Sequence, residues 1–419
     1  MESNLNRLSR RKWILSCGGS ALAALLPCSG LTAAGIAAST PDWERPLFNL
    51  MERITQAQMI ESIELLARSG HTFVRIRSAE GVVGLSPTKQ IGHFIPIFRD
   101  LVAPHFIGRD ARELETLVDE VYRKNYKLAG QALWCPVAYI DQCIMDLLGR
   151  AAGIPAGELM GGMIRSEIPV YLSGSGRETT AEEEVAVYEK GVSQTGAKAV
   201  KFKIGGRMSR NRDVYPGRTE TLIRQARKSL GDNIVLYADA NGSYDAATAI
   251  GIGRELEDLG YGFFEEPCPW QEYSETRQVA AALNIHIAAG EQDSNLWGFS
   301  WMMEQGMLDI VQPDLNYNGG FVRTARVARM ARAFGLPIVP HNTQTGPASV
   351  HMLQFAACTP NTGTFMEYPW RNPQQTESWY SPSFIVRDGV LQVPDGPGLG
   401  LEIDPDFIAG AELLAKAGT

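Results

Sequence analysis

The sequence predicts an α/β protein whose larger part is a closed (β/α) barrel, and three observations lead to this fold class. Short apolar runs alternate with amphipathic helical stretches from Ile168 onward. Alternating units of this length indicate a parallel sheet with right-handed crossovers, and eight of them favour a closed barrel over an open sheet. Ionisable side chains follow seven of the eight runs. An α+β pattern of strands and then helices precedes them.

Each predicted strand of the barrel is a short apolar run closed by polar residues. The eight runs are Ile168–Leu172, Ala199–Ile204, Ile234–Ala240, Gly262–Glu265, Ile285–Ala289, Leu308–Gln312, Pro337–Pro340 and Thr364–Glu367. Between them, apolar residues three and four positions apart predict helices, among them Thr219–Leu230, Ala246–Leu259 and Val322–Phe334. We expect the barrel to span residues 166–374.

The part ahead of the barrel, residues 39–165, predicts a small α+β unit. Period-two alternation predicts strands and helical spacing predicts helices. The predicted elements are strands at 58–66 and 72–78, a turn and third strand at Glu80–Gly84, and helices at Ala111–Tyr122 and Pro136–Leu148. The turn-rich segment 375–419 is too short for a domain of its own, so we expect it to complete this first unit.

Composition and charge exclude several classes of function. The chain of 419 residues is 44% hydrophobic, which is enough apolar material for a large core and excludes wholesale disorder. Its formal net charge is −8 at pH 7. An acidic chain without a block of lysines and arginines lacks the electrostatic footprint of a nucleic-acid-binding protein. We therefore expect a small-molecule partner and no nucleic acid.

Residues 1–38 predict an export signal. Ser9–Leu15 resembles the twin-arginine motif, with Arg10 and Arg11 ahead of an apolar stretch that contains no acidic residue. An uncleaved membrane anchor and a lipoprotein anchored at Cys28 are the alternatives. The small residues that end the stretch favour cleavage, and so a periplasmic protein. No later apolar run reaches the ~18 residues of a membrane span, and the cysteines after the leader predict buried free thiols.

Three carboxylates end successive predicted strands. Asp239, Glu265 and Glu291 come one per strand from the third, fourth and fifth runs. Because the carboxyl ends of barrel strands converge on one mouth, the three would repel one another unless a cation lies among them. Hard oxygen ligands favour Mg²⁺, with Mn²⁺ as the alternative. A helix-capping role for each carboxylate is the other interpretation, which their matched positions disfavour.

Two lysines share the second predicted strand. Alternation directs Val200, Phe202 and Ile204 towards the helices, so Lys201 and Lys203 face the barrel interior. A neighbouring ammonium and partial burial lower the pKa of a lysine, which makes a usable general base near neutral pH. An exposed pair of lysines at the start of a strand is the alternative.

His341 ends the seventh predicted strand, and Asp314 ends the sixth directly before it. A carboxylate on the adjacent strand can accept a hydrogen bond from one ring nitrogen and raise the basicity of the other. We therefore predict a His–Asp acid/base pair at the mouth. The other histidines have no such neighbour in the predicted fold.

Together these residues resemble the enolase superfamily, specifically its mandelate racemase branch. The motifs are Lys201-Phe202-Lys203, Asp239-Ala240-Asn241, Phe264-Glu265-Glu266-Pro267, Gly290-Glu291, Asp314 and His341. The resemblance covers nearly the whole chain after the leader. It implies a modified (β/α)8 barrel, written (β/α)7β, of the TIM type that carries catalysis. It also implies that the α+β unit is a capping domain that closes over the substrate.

The resemblance also implies what the metal ligands and lysines do. Asp239, Glu265 and Glu291 would bind Mg²⁺, which stabilises the enediolate form of the substrate. Lys203 would be the base on one face of the substrate. Lys201 would tune that base or help to neutralise the substrate carboxylate.

The remaining site residues follow from the same resemblance. His341 with Asp314 would be the acid/base on the opposite face, and Glu367 would hydrogen-bond the substrate carboxylate as its enolate forms. The loop Ala67–Gly70 is shorter than the mobile lid that relatives often carry there, so we expect residues 40–57 or Ser86–Phe94 to supply the lid. Candidate substrate-binding residues are Asn241, Lys89 and His93.

The predicted function is abstraction of the proton α to a carboxylate. A β-hydroxyl within reach of protonated His341 would leave as water, which gives a 2-keto-3-deoxy acid from a sugar acid. Without such a hydroxyl, His341 would return the proton on the opposite face, and the enzyme would be a racemase or epimerase. An exported protein that only binds sugar acids is the non-catalytic alternative. We expect a homo-oligomer.

Overall fold

The strands of the structure are numbered in chain order; those before residue 375 overlap predicted strands, whereas those after it lie in the segment 375–419, for which no strand was predicted. They are β1 (Ile60–Arg68), β2 (His71–Ser78), β3 (Val83–Thr88), β4 (Glu167–Ser173), β5 (Ala199–Lys203), β6 (Val235–Asp239), β7 (Phe263–Glu265), β8 (His286–Ala289), β9 (Ile310–Val311), β10 (Met366–Pro369), β11 (Tyr380–Ser381), β12 (Val390–Gln392), β13 (Glu402–Ile403) and β14 (Glu412–Gly418). This computed structural model describes residues 41–89, 92–174, 176–370, 374 and 376–419. The predicted export signal, residues 1–38, lies outside the described residues.

The helices alternate with the strands of the barrel and also cover the first sheet. The longer ones are Leu114–Asn125, Gln131–Ala152, Ala181–Thr195, Arg218–Leu230, Ala246–Asp258, Tyr273–Ala282, Leu296–Glu304, Gly320–Ala333 and Ser349–Cys358. Short helices occupy Leu50–Arg53, Ile95–Ile97, Ala103–Phe106, Ala156–Leu159 and Pro405–Ala409. In the part of the chain that the structure describes, no helix is both long and apolar enough to cross a membrane.

The parallel sheet forms the barrel in the order β10-β4-β5-β6-β7-β8-β9. Its register places Lys203 opposite Asp239, and Asp239 opposite Glu265. The strand ends are therefore level, and their last side chains are neighbours at one mouth. Below them, Tyr237 stacks on Phe263 with ring centroids 3.8 Å apart, so aromatic side chains fill the interior under the charged layer.

The predicted strand Pro337–Pro340 is not a regular strand. Isolated parallel bridges join Ile338 to Val311 on one side and to Thr362 on the other. The segment therefore takes the place of the seventh barrel strand, between β9 and the residues just before β10. Proline has no backbone N–H to donate, so two prolines in four residues leave the hydrogen-bond ladder incomplete.

The second sheet is antiparallel, in the order β14-β1-β2-β3. The C-terminal strand β14 pairs with β1, which brings the end of the chain to the first unit. The described residues from Pro41 onward form one compact unit, and the domain boundaries at 165/166 and 374/375 stay predictions.

The helix Gln131–Ala152 packs on this sheet and is buried over most of its length. A Cβ at Gly84 of β3 would lie 2.6 Å from the carbonyl oxygen of Cys143, so only glycine allows this close approach. The helix begins five residues before the predicted start at Pro136. Proline is common in the first turn of a helix, whereas Pro136 lies inside this one, after its first turn. Cys135, Cys143 and Cys268 are buried free thiols and Cys358 is a partly buried one.

Candidate active site

The mouth of the barrel collects the ionisable residues that the sequence singled out. Each lies at or just after the carboxyl end of its strand, where barrel enzymes build active sites. The buried members are Lys201, Lys203, Asp239, Glu265, Glu291, Asp314, His341 and Glu367. The structure therefore brings together all the metal-binding and catalytic candidates. Their individual roles remain predictions.

The three predicted metal ligands form one buried cluster. Asp239, Glu265 and Glu291 each offer a carboxylate oxygen, and these atoms lie within 4.8 Å of one another. Oδ1 of Asp239 accepts a hydrogen bond from the backbone N–H of Asn241 at 2.8 Å. Oε2 of Glu291 is buried and has no hydrogen-bond partner among the described residues.

The electrostatics of this cluster fit a divalent cation. Burial and the negative charge of Asp239 raise the pKa of Glu265 to about 8, although the ammonium of Lys201 opposes the shift. Burial and the charges of Glu291, Asp239 and Glu265 also raise the pKa of the adjacent Glu266. The ammonium groups of Lys201 and Lys203 compensate Glu265 and Asp239 in part, and a divalent cation would compensate the remaining negative charge of the cluster. An all-oxygen donor set of this kind suits Mg²⁺.

Lys201 is fully buried between carboxylates. Its Nζ lies 2.7 Å from Oε2 of Glu265 and 2.8 Å from Oε1 of Glu367. Burial lowers the pKa of Lys201, but these carboxylates outweigh it and raise the pKa well above its ordinary value. The pKa decrease expected for the lysine pair is therefore wrong for Lys201. Its neighbours are mainly anions rather than the second ammonium.

Lys203 stands at the end of β5, with its ammonium paired to Oδ2 of Asp239. The guanidinium of Arg218 donates to the carbonyl oxygen of Lys203 at 3.1 Å and fixes this strand end. The alternation of the strand is as predicted, because Val200 and Phe202 belong to the core between sheet and helices.

His341 and Asp314 form the predicted pair. Nδ1 of His341 lies 2.8 Å from Oδ2 of Asp314, and Nε2 lies 3.3 Å from Oε2 of Glu291. Burial lowers the pKa of His341, but Glu291 and the hydrogen bond to Asp314 outweigh it and raise the pKa to about 9. Oδ1 of Asp314 accepts from the backbone N–H groups of Asn316 and Tyr317 at 2.7 and 3.0 Å. This pair is well oriented to hold or release a proton.

Glu367 ends β10 beside the same group. Its Oε2 accepts from the backbone N–H of Asn342 at 3.0 Å. Burial raises the pKa of Glu367, but the charges of Lys201 and His341 outweigh it and keep the pKa low. Glu367 is therefore an ionised hydrogen-bond acceptor at the mouth.

The three candidate substrate-binding residues have different environments. Nζ of Lys89 donates a hydrogen bond to the hydroxyl of Tyr317 and lies 4.0 Å from the centroid of that ring. Because the ring of Tyr317 lies beside His341, the residue that follows β3 reaches the His341 side of the mouth. Asn241 is buried and its side chain is held within the protein by Arg177 and Glu266. His93 is exposed, and its side chain makes no hydrogen bond to a described residue.

Sequence reasoning missed three polar residues of the mouth. Nε2 of Gln312 donates to Oε2 of Glu265 at 2.9 Å, Tyr317 contacts Lys89, and Arg177 binds Asn241. Arg177 was detectable, because it is the first cation after β4, the one predicted strand to which no site residue was assigned. Gln312 and Tyr317 gave no signal of their own, since neutral polar residues are common at strand ends.

Family models match most of the chain. The enolase C-terminal domain-like family matches residues 183–407. The mandelate racemase / muconate lactonizing enzyme N-terminal domain matches residues 52–161. The chain belongs to the enolase superfamily, in its mandelate racemase branch. The two matched regions correspond to the predicted barrel and to the predicted capping domain.

Solved structures of this superfamily superpose on the chain. A candidate racemase from Roseobacter denitrificans is 33% identical, with a TM-score of 0.81 over 86% of this chain and 100% of that one. A mandelate racemase/muconate lactonizing protein from Paracoccus denitrificans, complexed with magnesium, is 29% identical, with a TM-score of 0.79 over 86% of this chain and 98% of that one.

Curated relatives are mostly dehydratases. An arabinonate dehydratase of Saccharolobus solfataricus is 26% identical over 78% of this chain and 87% of its own length. A D-mannonate dehydratase of Sphingomonas sp. is 26% identical over 85% and 95%. A D-galactarolactone cycloisomerase of Agrobacterium fabrum is 29% identical over 81% and 91%. This superfamily member is an enzyme, and its dehydratase relatives place it in the lyase class.

Proposed function

We propose that this enolase superfamily member is a magnesium-dependent sugar-acid dehydratase. It removes the proton α to the carboxylate and expels the β-hydroxyl as water, so that the product is a 2-keto-3-deoxy acid. One observation carries the proposal. Lys203 on β5 and His341 after β9 come from opposite sides of the mouth, with the acidic cluster of β6, β7 and β8 between them. That arrangement gives a base on one face of a substrate and an acid on the other.

Asp239, Glu265 and Glu291 would hold the magnesium ion. Bound there, a divalent cation supplies positive charge that stabilises the second negative charge of an enediolate. Oε2 of Glu291 supports this assignment, because it accepts no hydrogen bond from a described residue and its one ion-pair contact among these residues is with Nε2 of His341, at 3.3 Å. The sequence alone predicts that these three residues bind a metal ion. The structure adds that their carboxylates form one buried cluster.

Lys203 takes the α-proton. A proton α to a carboxylate is a very weak acid, so the base must act while the developing charge is stabilised. Lys201 contributes to that stabilisation as a fixed ammonium between Glu265 and Glu367. Glu367 lies at the same site, where the ion pair between its Oε1 and Nζ of Lys201 at 2.8 Å holds that ammonium in place.

His341 gives its proton to the leaving hydroxyl. Asp314 holds the ring by Nδ1 at 2.8 Å, so Nε2 is the atom available to the substrate. The relatives support the loss of water, since arabinonate, D-mannonate and D-galactonate dehydratases match the chain over 78 to 85% of its length. Each of those names concerns a sugar acid.

Racemisation or epimerisation is the second candidate function. The same two residues on opposite faces would exchange a proton without loss of water if the substrate lacks a hydroxyl in reach of His341. The structural neighbour at 33% identity, a candidate racemase, favours keeping this alternative.

A substrate screen tests the proposal. Mono- and di-acid sugars are incubated with the protein and Mg²⁺, and 2-keto products are detected with semicarbazide while α-proton exchange is followed in D₂O. Keto product from at least one acid is expected. Exchange or inversion without keto product would identify a racemase or epimerase instead, and a thermal shift without either would identify a binding protein.

Once a substrate is found, two variants distinguish the role of Lys203 on one face of the substrate from that of His341 on the other. His341→Asn removes the acid, so α-proton exchange through Lys203 should persist while keto product falls by about 10²–10⁴-fold. Lys203→Ala should lose both exchange and product. His286→Asn, at the exposed start of β8, is the matched control. Near wild-type dehydration by His341→Asn would show that the acid lies elsewhere.

A further inference from the structure

A buried arginine at the mouth has no carboxylate partner among the residues that the structure describes. Arg177 lies in the segment after β4 and is 8% exposed. Its Nη2 donates to Oδ1 of Asn241 at 2.6 Å, and its Nε is buried without a hydrogen-bond partner among the described residues. Arg177 forms no ion pair with any carboxylate of the described residues. A buried cation without an anion is costly.

Other buried arginines of the chain have such compensation. Arg326 makes a two-pronged ion pair with Asp119 at 2.6 and 2.9 Å. Arg218 donates to three carbonyl oxygens, at 2.9, 3.1 and 3.2 Å. Arg323 lies 3.6 Å above the ring of Trp134 and donates to a carbonyl oxygen at 2.6 Å. Arg326 also has a buried Nε without a hydrogen-bond partner among the described residues, but of these four arginines only Arg177 has neither an ion pair, several carbonyl acceptors nor an aromatic ring beside its guanidinium.

A second cation, Arg207, belongs to a loop that is hydrogen-bonded to Asn241, the partner of Arg177. Burial lowers the pKa of Arg177, and the charge of Arg207 lowers it further, while Asp239 and Glu291 oppose the shift. Arg177 therefore lies close enough to the metal-binding cluster to interact with two of its carboxylates. Two guanidiniums in proximity favour an anion between them.

Arg207 belongs to a loop that is fixed against the mouth. The backbone N–H of Met208 donates to the carbonyl oxygen of Asn241 at 3.0 Å, and that of Asn211 to Ser243 at 2.8 Å. Arg207, Met208, Arg210 and Asn211 all have positive φ values, between 22° and 68°. Non-glycine residues seldom adopt this region, and such strain concentrates at ligand-binding segments. The loop thus holds exposed arginines at the rim of an acidic protein.

We propose that Arg177, with Arg207 beside it, binds a second anionic group at the far end of the substrate. This inference rests on the proposed function. The reacting carboxylate has its own partners in Lys201 and the divalent cation, so Arg177 is left for a different group. That group is the second carboxylate of an aldaric di-acid or the phosphate of a phosphorylated aldonic acid, both of which suit the planar fork of a guanidinium.

Asn241 and Glu266 position Arg177 for this contact. Nδ2 of Asn241 donates to Oε2 of Glu266 at 3.2 Å, while its Oδ1 accepts from Arg177. The candidate role of Asn241 in substrate binding therefore becomes an indirect one. The exposed cations of the loop, Arg207 and Arg210, would draw anionic substrates towards the mouth.

Matched substrates test the proposal. Galactarate is compared with galactonate, glucarate with gluconate, and 6-phosphogluconate with gluconate, in the presence of Mg²⁺. The wild-type protein should prefer the member with the second anionic group by about 10–10²-fold in kcat/KM, the value of one charge-assisted contact. A preference for the di-acids identifies a carboxylate, and a preference for 6-phosphogluconate identifies a phosphate.

Variants of Arg177 assign that preference to its side chain. Arg177→Gln should abolish the preference, through a larger rise in KM for the member with the second anionic group than for the mono-acid. Arg177→Lys keeps the charge without the planar fork and should retain part of the preference. Arg165→Gln is the control, because Arg165 precedes the same strand at the opposite end of the barrel and donates to the carbonyl oxygens of Ala356 and Thr359.

Thermal shifts separate this inference from the proposed function. Galactarate or 6-phosphogluconate should raise the Tm of the wild-type protein more than that of Arg177→Gln, whether or not turnover occurs. Failure of every acid to give keto product or exchange would contradict the proposed function alone. Equal losses of kcat/KM for both members of a pair, or thermal shifts that Arg177→Gln leaves unchanged, would overturn the second-anion site.

Discussion

At the scale of single residues, the mouth of the barrel is organised by burial of charge. Lys201 is 0% exposed and lies between Glu265 and Glu367. Water cannot screen these charges, so each shifts the pKa of its neighbours strongly. Two neighbouring lysines ordinarily lower the pKa of each other. At Lys201 the surrounding anions outweigh this effect and raise the pKa. We infer an electrostatic role for Lys201 and leave the base to Lys203.

Removal of one predicted metal ligand should abolish activity while the fold persists. Glu265→Gln loses an anionic ligand at the centre of the cluster, and kcat should fall by at least about 10³-fold. The Tm should change by only a few degrees, because the substitution is nearly isosteric and reduces repulsion between carboxylates. Steady-state kinetics and circular dichroism are the measurements.

Glu167→Gln, at the exposed start of β4, is the control for this substitution. Excess EDTA should abolish the wild-type activity, and added Mg²⁺ should restore it. Full activity in EDTA, or in Glu265→Gln, would contradict the metal assignment.

A buried histidine outside the mouth should make stability depend on pH. His351 is 3% exposed, and its Nε2 lies 2.8 Å from the hydroxyl of Ser86 on β3. Burial lowers the pKa of His351 to about 3, whereas an unfolded histidine titrates near 6.5. Below about pH 6.5 the unfolded state therefore binds more protons than the folded state. The contribution of His351 to the free energy of unfolding should fall by about 1.4 kcal/mol per pH unit.

Comparison of wild type with His351→Gln isolates this contribution. Urea unfolding is measured between pH 7.5 and 5.5, and the difference between the two proteins should narrow as the pH falls below 6.5. His286→Gln provides the comparison with an exposed histidine. A difference that stays constant over this range would show that His351 does not remain neutral in the folded protein.

At the scale of elements, contacts between helices and strands that are distant in sequence fix the site. Asp141, in the middle of the helix Gln131–Ala152, accepts from the backbone N–H groups of Phe321 and Val322 at 2.6 and 3.2 Å. These N–H groups belong to the first turn of the helix Gly320–Ala333. A carboxylate of the α+β unit therefore accepts the hydrogen bonds that the start of a barrel helix would otherwise lack. Gly320 is required there, because a Cβ would lie 2.4 Å from Oδ1 of Asp141.

Asp141→Ala should therefore lower the free energy of unfolding by about 2–4 kcal/mol. It removes the acceptor for two buried N–H groups and leaves them unsatisfied. Chemical unfolding followed by circular dichroism measures the change. Asp258→Ala, at the exposed end of the helix Ala246–Asp258, should cost less than about 0.5 kcal/mol. Equal costs for the two variants would show that this contact does not stabilise the fold.

At the scale of the whole molecule, the predicted leader would set the compartment in which the enzyme acts. We propose export by the twin-arginine route, which carries folded proteins. Residues 1–38 lie outside the described residues, so the proposal rests on Arg10, Arg11 and the acid-free apolar stretch that follows. An enzyme that acquires a metal ion before export suits this route.

Conversion of both arginines to lysine should keep the protein in the cytoplasm with its leader attached. Fractionation of cells and the mass of the protein in each fraction give the readout. Lys12→Arg preserves the two arginines and should leave export unchanged. Periplasmic, processed protein from the double lysine variant would show that the motif has been misread.

Much of the fold and most of the candidate site follow from the sequence, because local patterns control them. Alternating apolar runs and helices specify a parallel barrel, and the residue that ends each strand must then face one mouth. For this reason the sequence alone predicts that Asp239, Glu265 and Glu291 lie together. Short and proline-containing elements were less predictable, as the segment Pro337–Pro340 shows.

Only the tertiary structure decided which distant side chains meet. Arg177 and Asn241 are 64 positions apart, yet they are hydrogen-bonded at 2.6 Å, and Asp141 reaches a helix 180 positions away. Hydrophobic periodicity reports only which face of an element is buried, and it carries no information about the partner across an interface. The charge environment of each group depends on those partners, so only the folded chain shows that the pKa of Lys201 is raised and that Arg177 is buried without an ion pair among the described residues.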